Sequence, residues 1–149
     1  MSLEEARTGW FYREQLPPND NEYFENMTRI VFKASLNWQF IADRWVAFTK
    51  AFENFDINIV SSFDPEDIEI LMSNKGIIKS RSRIEATVVN AMIFQEIRDE
   101  YGSFRNYMDN LDIIDNYRTA VKELVNRFER LTEKTAAIFL YSVGENIIL

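Results

Sequence analysis

Cysteine and histidine are both absent from the 149 residues. Their absence excludes disulfides, thiol nucleophiles, imidazole bases and any zinc site built from Cys and His. Glycine and proline are scarce, at four and three, so few positions force the backbone to turn. Alternating apolar–polar runs of the strand type are scarce too. No apolar run approaches the ~18 residues a membrane span needs, and no signal-peptide apolar region opens the chain. The expectation is a cytoplasmic protein without a membrane segment. Positive charge is also in short supply: 17 Lys and Arg face 24 Asp and Glu, a formal net charge of −7. A broad basic face for nonspecific nucleic-acid binding is therefore not expected, although a local patch could serve. The acids show no loop spacing of the kind that holds magnesium or calcium, so neither a metal nor another cofactor is expected.

What is present points to an all-α protein. A hydrophobic content of 46% with 28% charged residues marks a folded chain, and its length suits one domain over residues 1–149. Twelve Phe, six Tyr and three Trp supply the bulk of a core. After the loop "QLPPND", a helix is expected to open near Asp20 with acids in its first turn. A second is expected from Trp38 to Phe55, where Phe40, Ile41, Trp45, Phe48 and Phe52 recur at helical spacing. "FDPEDIEILMSN" offers Asp64 as N-cap, Pro65 at the first helical position and Gly76 past the end. In "SRSRIEATVVNAMIFQEIRDEYG", Ser82 and Glu85 fit a capping box, with Ile84, Val88, Ala91 and Met92 as the apolar face and Gly102 after the end. Two further helices, "DNYRTAVKELVNRFERL" and "TEKTAAIFLYSVG", are parted by a turn near Leu131 and Thr132. Roughly seven or eight helices result.

One stretch stands apart in charge. Lys75, Lys79, Arg81 and Arg83 fall together, and no acid interrupts them between Glu69 and Glu85. Positive charge at a helix start opposes the helix dipole, so something anionic nearby would relieve it. A phosphate or carboxylates from another helix would both serve, and the acidic balance favours the carboxylates.

The residues from Phe24 to about Met108 resemble the DNA-3-methyladenine glycosylase I family, without gaps. The resemblance rests on Phe24-Glu25, "ASLNW" from Ala34 to Trp38, "FENFD" from Phe52 to Asp56, "GIIKSRSRI" from Gly76 to Ile84, Asn90-Ala91 and "YGSFRNYM". "RTGW" at Arg7 to Trp10 is similar to the family's opening, with Thr8 in place of its cysteine. "FERLTEKTAAIFLYSVG" aligns with the family's helix-hairpin-helix turn and the helix after it. The resemblance implies a helical bundle of two lobes around a cleft. It also implies base excision repair: DNA is bent, an alkylated purine such as 3-methyladenine is flipped out, and its N-glycosidic bond is hydrolysed. Alkylation leaves positive charge on that base, so it is already a good leaving group. By the same resemblance, Trp10 and Trp38 line the base pocket, while Lys79, Arg81 and Arg83 fall on basic positions of the family, with a structural or DNA-facing role, and Arg127 and Thr132 fall on its DNA-binding hairpin. As unaided sequence, the two tryptophans read equally well as core residues.

The departures are chemical. The family's pocket glutamate lies eight residues before the tryptophan matched by Trp38, and here that position is Ile30. Isoleucine can neither accept a hydrogen bond from an adenine edge nor stabilise cationic charge on the sugar, so the catalytic residue is left unassigned. Asp20, Glu22 and Glu25 are near in sequence and read as first-turn helix acids. The zinc clip of the family, built from Cys and His, has no ligands. Its two hairpin glycines fall at Arg127 and Thr132, where backbone approach to a DNA phosphate is obstructed by side chains. The resemblance thus implies a glycosylase acting weakly on DNA. The alternatives are a noncatalytic DNA- or protein-binding descendant, and a glycosylase with another base specificity and a relocated acid.

Overall fold

A computed structural model of the chain describes residues 16–33 and 38–149, with only the backbone of residue 38. The described residues are helical with no strand. Along the chain they form α1 (Asp20–Lys33), α2 (Trp38–Asp43), α3 (Trp45–Ala51), a 3-10 turn (Glu53–Phe55), α4 (Ile57–Val60) and α5 (Pro65–Met72). There follow α6 (Arg81–Tyr101), α7 (Phe104–Asp109), α8 (Ile114–Arg127) and α9 (Glu133–Ser142). None of the described helices is long and apolar enough to cross a membrane.

The elements fall into two groups that share α1 and α6. In the first, α2 and the 3-10 turn pack on α1, α4 packs on both α1 and α6, and α5 packs on α6. In the second, α7 packs on α1 and α6, and α9 packs on α1 and α8. Aromatic side chains fill both groups. Trp45 stacks on Phe48 and Phe55, with ring centroids 5.0 and 5.2 Å apart, and Phe32 meets Phe48 edge-on at 4.9 Å. In the second group Phe104 touches Phe94, Tyr107, Phe128 and Phe139. Phe24, on α1, joins the two clusters by edge contacts to Phe55 and Phe94. Such pairs add about 0.5–1.5 kcal/mol beyond the area they bury.

Local chemistry sets most of the helix starts. Asp64 caps α5 by accepting the N–H of Asp67, and its own N–H donates to the Asp67 carboxylate, with Pro65 at the first position as expected. Asp20 also reaches across the fold, accepting the N–H of Phe104 at 3.0 Å where α7 begins. Asn21 accepts the N–H of Ile57, and Asp56 those of Asn58 and Ile59, so three orphan donors of α4 are satisfied.

Three expectations need correction. The helix predicted from Trp38 to Phe55 is three pieces, and Phe40 is exposed on its surface. Glu53, Asn54 and Phe55 take left-handed φ values of 52–58°, which ends helical propagation and folds Phe55 back onto Trp45. The long helix α6 starts at Arg81 under Ser80, not under Ser82. Ser80 Oγ accepts the N–H of Arg83, and Ser82 and Glu85 lie inside the helix. Capping-box spacing points to Ser82, with Glu85 three residues on, but the backbone register selects Ser80. Met92, assigned to the apolar face, is also exposed.

Candidate functional site

Ile30 lies on the buried face of α1, in line with Asn26 and Lys33 by the 100° advance per residue. Its side chain is 0% exposed and belongs to the contiguous apolar core. Asn26 and Lys33 are fully buried as well, so one stripe of α1 carries an amide, an isoleucine and an ammonium. Asn26 donates from Nδ2 to Ser142 Oγ of α9, while its Oδ1 accepts no hydrogen bond among the described residues. Of the tryptophans expected to line the pocket, Trp10 lies outside the described residues. Trp38 begins α2, but its side chain is outside them too.

Two of the nearby acids are committed elsewhere. Asp20 holds the start of α7. Glu25 accepts both Arg29 Nη2 at 2.8 Å and the indole N–H of Trp45 at 2.9 Å, and Arg29 lies over the Trp45 ring. Five residues separate Glu25 from Ile30, which turns the two side chains about 140° apart around the helix. Glu22 and Glu25 are partly exposed, whereas Ile30 is not. Among these three acids, none stands in the direction that Ile30 occupies.

The basic residues divide into two sets. Arg81 is ion-paired to Glu69 of α5 and reaches Glu85 at 3.8 Å. That is the carboxylate relief expected for charge at this helix start. Arg127 pairs with Glu100 at 3.4 Å and lies over the Tyr107 ring at 5.4 Å. Lys79 is exposed in the loop before α6. Arg83 is different. Its Nε donates to the carbonyl of Val31 at 3.3 Å, next to Ile30, and its Nη1 donates to Ser80 Oγ at 3.3 Å. Burial first, and then the charge of Arg130, hold its pKa below the usual guanidinium value.

The turn between α8 and α9 is held from below by Asn90 of α6. Asn90 Oδ1 accepts the N–H of Glu129 at 2.8 Å, and its Nδ2 donates to the Glu129 carbonyl at 3.3 Å. Thr132 caps α9 by accepting the N–H of Thr135, and its own N–H donates to Thr135 Oγ1 at 2.8 Å. The Thr132 N–H is thus already engaged. Between them Arg130 adopts a left-handed φ of 62° and donates from Nη1 to Ser82 Oγ at 3.2 Å. Sequence reasoning overlooked Arg130, Ser80 and Asn90 as participants. The Asn90-Ala91 pair was the available signal for the last. For Arg130 none existed, because its partner lies 48 residues away. Two grooves elsewhere, between α8, α9 and the C-terminal tail and beside the start of α1, include neither Ile30 nor Arg83.

Known proteins bear on this arrangement. A curated DNA-3-methyladenine glycosylase of Haemophilus influenzae is 24% identical over 144 residues, covering 85% of this chain and 78% of that protein. The crystal structure of a glutamate-to-glutamine mutant of 3-methyladenine DNA glycosylase I from Staphylococcus aureus matches with a TM-score of 0.78 at 23% identity, covering 90% of this chain and 81% of that one. A tyrosine-to-phenylalanine variant of 3-methyladenine DNA glycosylase I, in complex with 3-methyladenine, also has a TM-score of 0.78, at 22% identity and with 95% and 84% covered. The methyladenine glycosylase family itself is matched over residues 10–138, so that the hairpin, the long helix α6 and the Ile30 stripe all lie inside the matched span, and the chain belongs to that family.

Proposed function

We propose that this protein recognises alkylated purines in DNA, of the 3-methyladenine class, and releases them slowly. The observation that carries this reading is the family match over residues 10–138, with a related structure that holds 3-methyladenine. In such a reaction water attacks C1′ of the damaged nucleotide and the C1′–N9 bond breaks. The bonding electron pair neutralises the cationic base, and the proton lost is that of the water. The base's own charge supplies the leaving ability. Ile30 supplies neither a hydrogen bond to the base nor a negative charge for the sugar, which is why the rate should be low. The selecting groups are then the shape of the pocket and stacking on Trp38 and Trp10, at about 1–3 kcal/mol per base.

A second reading is favoured by one fact, the complete burial of Ile30: a descendant that binds the lesion without cutting. Single-turnover release of 3-methyladenine from alkylated DNA separates the two. Release above the spontaneous rate in protein-free DNA, raised further by Ile30→Glu, is the expected result. Free base that quenches tryptophan fluorescence, with release no faster than in DNA alone, establishes the noncatalytic reading. No base binding at millimolar concentration overturns both.

A further inference from the structure

We propose that Arg83 and Arg130 together form a clamp for one backbone phosphate of DNA, positioned by the hydroxyls of Ser80 and Ser82. This inference rests on the DNA reading above and adds to it a specific contact. The four side chains make one continuous path. Arg83 Nη1 donates to Ser80 Oγ at 3.3 Å, Ser80 Oγ lies 3.4 Å from Ser82 Oγ, and Arg130 Nη1 donates to Ser82 Oγ at 3.2 Å. Two guanidiniums are thereby linked through neutral hydroxyls, and neither has an ion pair with an acid among the described residues. By contrast Arg81, Arg105, Arg118 and Arg127 each pair with a carboxylate. In a chain with seven more acids than bases, two adjacent cations without an acid mark a place where an outside anion is the missing partner. The charge of Arg130 acts unfavourably on that of Arg83, and an anion between them reverses the sign of the interaction.

A phosphodiester fits the chemistry. It has one negative charge and two non-bridging oxygens, and each guanidinium presents a planar fork of donors. Arg83 also donates to Val31, so a phosphate held there lies beside the end of α1 that carries Ile30. The clamp accounts for the left-handed backbone at Arg130, an unfavourable conformation for a residue with a β-carbon, which carries the side chain to Ser82. It also explains how DNA can be held although the Thr132 N–H is engaged by Thr135 and Arg127 by Glu100.

The test is binding of a fluorescent duplex containing a tetrahydrofuran abasic analogue, which has no base to excise, measured at several salt concentrations. The Arg83→Gln/Arg130→Gln double variant is expected to bind about tenfold more weakly. Its plot of log affinity against log salt should flatten by about 0.9, the value for one phosphate. The control is Arg118→Gln on α8, which removes an equal charge about 14 Å along the helix from Arg127 and should leave the slope unchanged. If Arg83→Gln lowers the melting temperature, Arg130→Gln alone carries the test, because Arg130 is exposed. An unchanged slope overturns the clamp. So does flattening by roughly 1.8, the mark of two separate phosphates, an equal effect of Arg118→Gln, or a wild-type protein that does not bind the duplex. Base release is read in the other assay. A protein that loses the slope but releases no base keeps the clamp and loses the catalytic reading, and the reverse pattern does the opposite.

Discussion

Asn90 shows how a single side chain can replace a stretch of secondary structure. It is 2% exposed and pairs with both backbone groups of Glu129, acting as a surrogate strand for a turn that has none. Asn90→Ala leaves the N–H and carbonyl of Glu129 without their partner and should cost about 1–2 kcal/mol, read by urea denaturation. Tyr107 makes the next residue-scale prediction. Burial, then the hydrogen bond to Glu123 at 2.6 Å and its charge, push the phenol pKa up. The folded protein therefore binds this proton more tightly than the unfolded chain does. The stability it contributes is complete below the unfolded tyrosine value of about 10 and is lost as pH rises toward the higher folded value. Tyr107→Phe should make the alkaline fall in melting temperature shallower. A fall as steep as in the wild type would assign the loss to other groups, Tyr23 and Tyr117 included, whose pKa values burial also raises.

Among the elements, the loop from Ser73 to Ser80 shows why a glycine in a motif can be a packing requirement. A β-carbon on Gly76 would sit 2.9 Å from the β-carbon of Ala47, on α3. Gly76→Ala must therefore push the loop off α3, and about 1–3 kcal/mol of stability should be lost in a thermal melt. The start of α9 is a second case. Thr132 and Thr135 exchange bonds there, so Thr132→Ala should cost about 1 kcal/mol through the lost cap. The helix starts at Asp20 and Asp64 were legible from the sequence, because a cap is written within four residues. The break after α3 was not. Its left-handed turn has no glycine, and it is held by the stacking of Phe55 on Trp45, a contact between separate elements.

For the whole molecule, the connection between the two groups of helices is the informative feature. Phe24 contacts the aromatic cluster of each, and Arg105 ties α7 to Tyr23 of α1 and Glu145 of the C-terminal tail. Asn116 brackets the backbone of Ile148, and Tyr117 accepts the N–H of Asn146. These hydrogen bonds hold the tail against α7 and α8. Phe24→Ala should cost about 3–5 kcal/mol, a large share of the 5–15 kcal/mol typical of a domain, and should lower the denaturation midpoint for both groups together. Two separate transitions in the variant would show that the groups fold independently. Treatment with a chelator should leave the melting temperature of the wild type unchanged, since neither cysteine nor histidine is available to hold zinc.

By itself the sequence determined the helical class and the family, and it puts no carboxylate at position 30. Periodicity, capping residues and the identity of a side chain are local properties, and a missing carboxylate is missing in any fold. Only the tertiary structure decided what the basic residues do. Arg81 and Arg127 share their charge with Arg83 and Arg130, and nothing in the one-dimensional pattern separates them. The distinction lies in whether Glu69 and Glu100, or only neutral oxygens, arrive beside them when helices distant in sequence pack together. Electrostatic interaction depends on separation in space, and the chain sets that separation only after its core has closed.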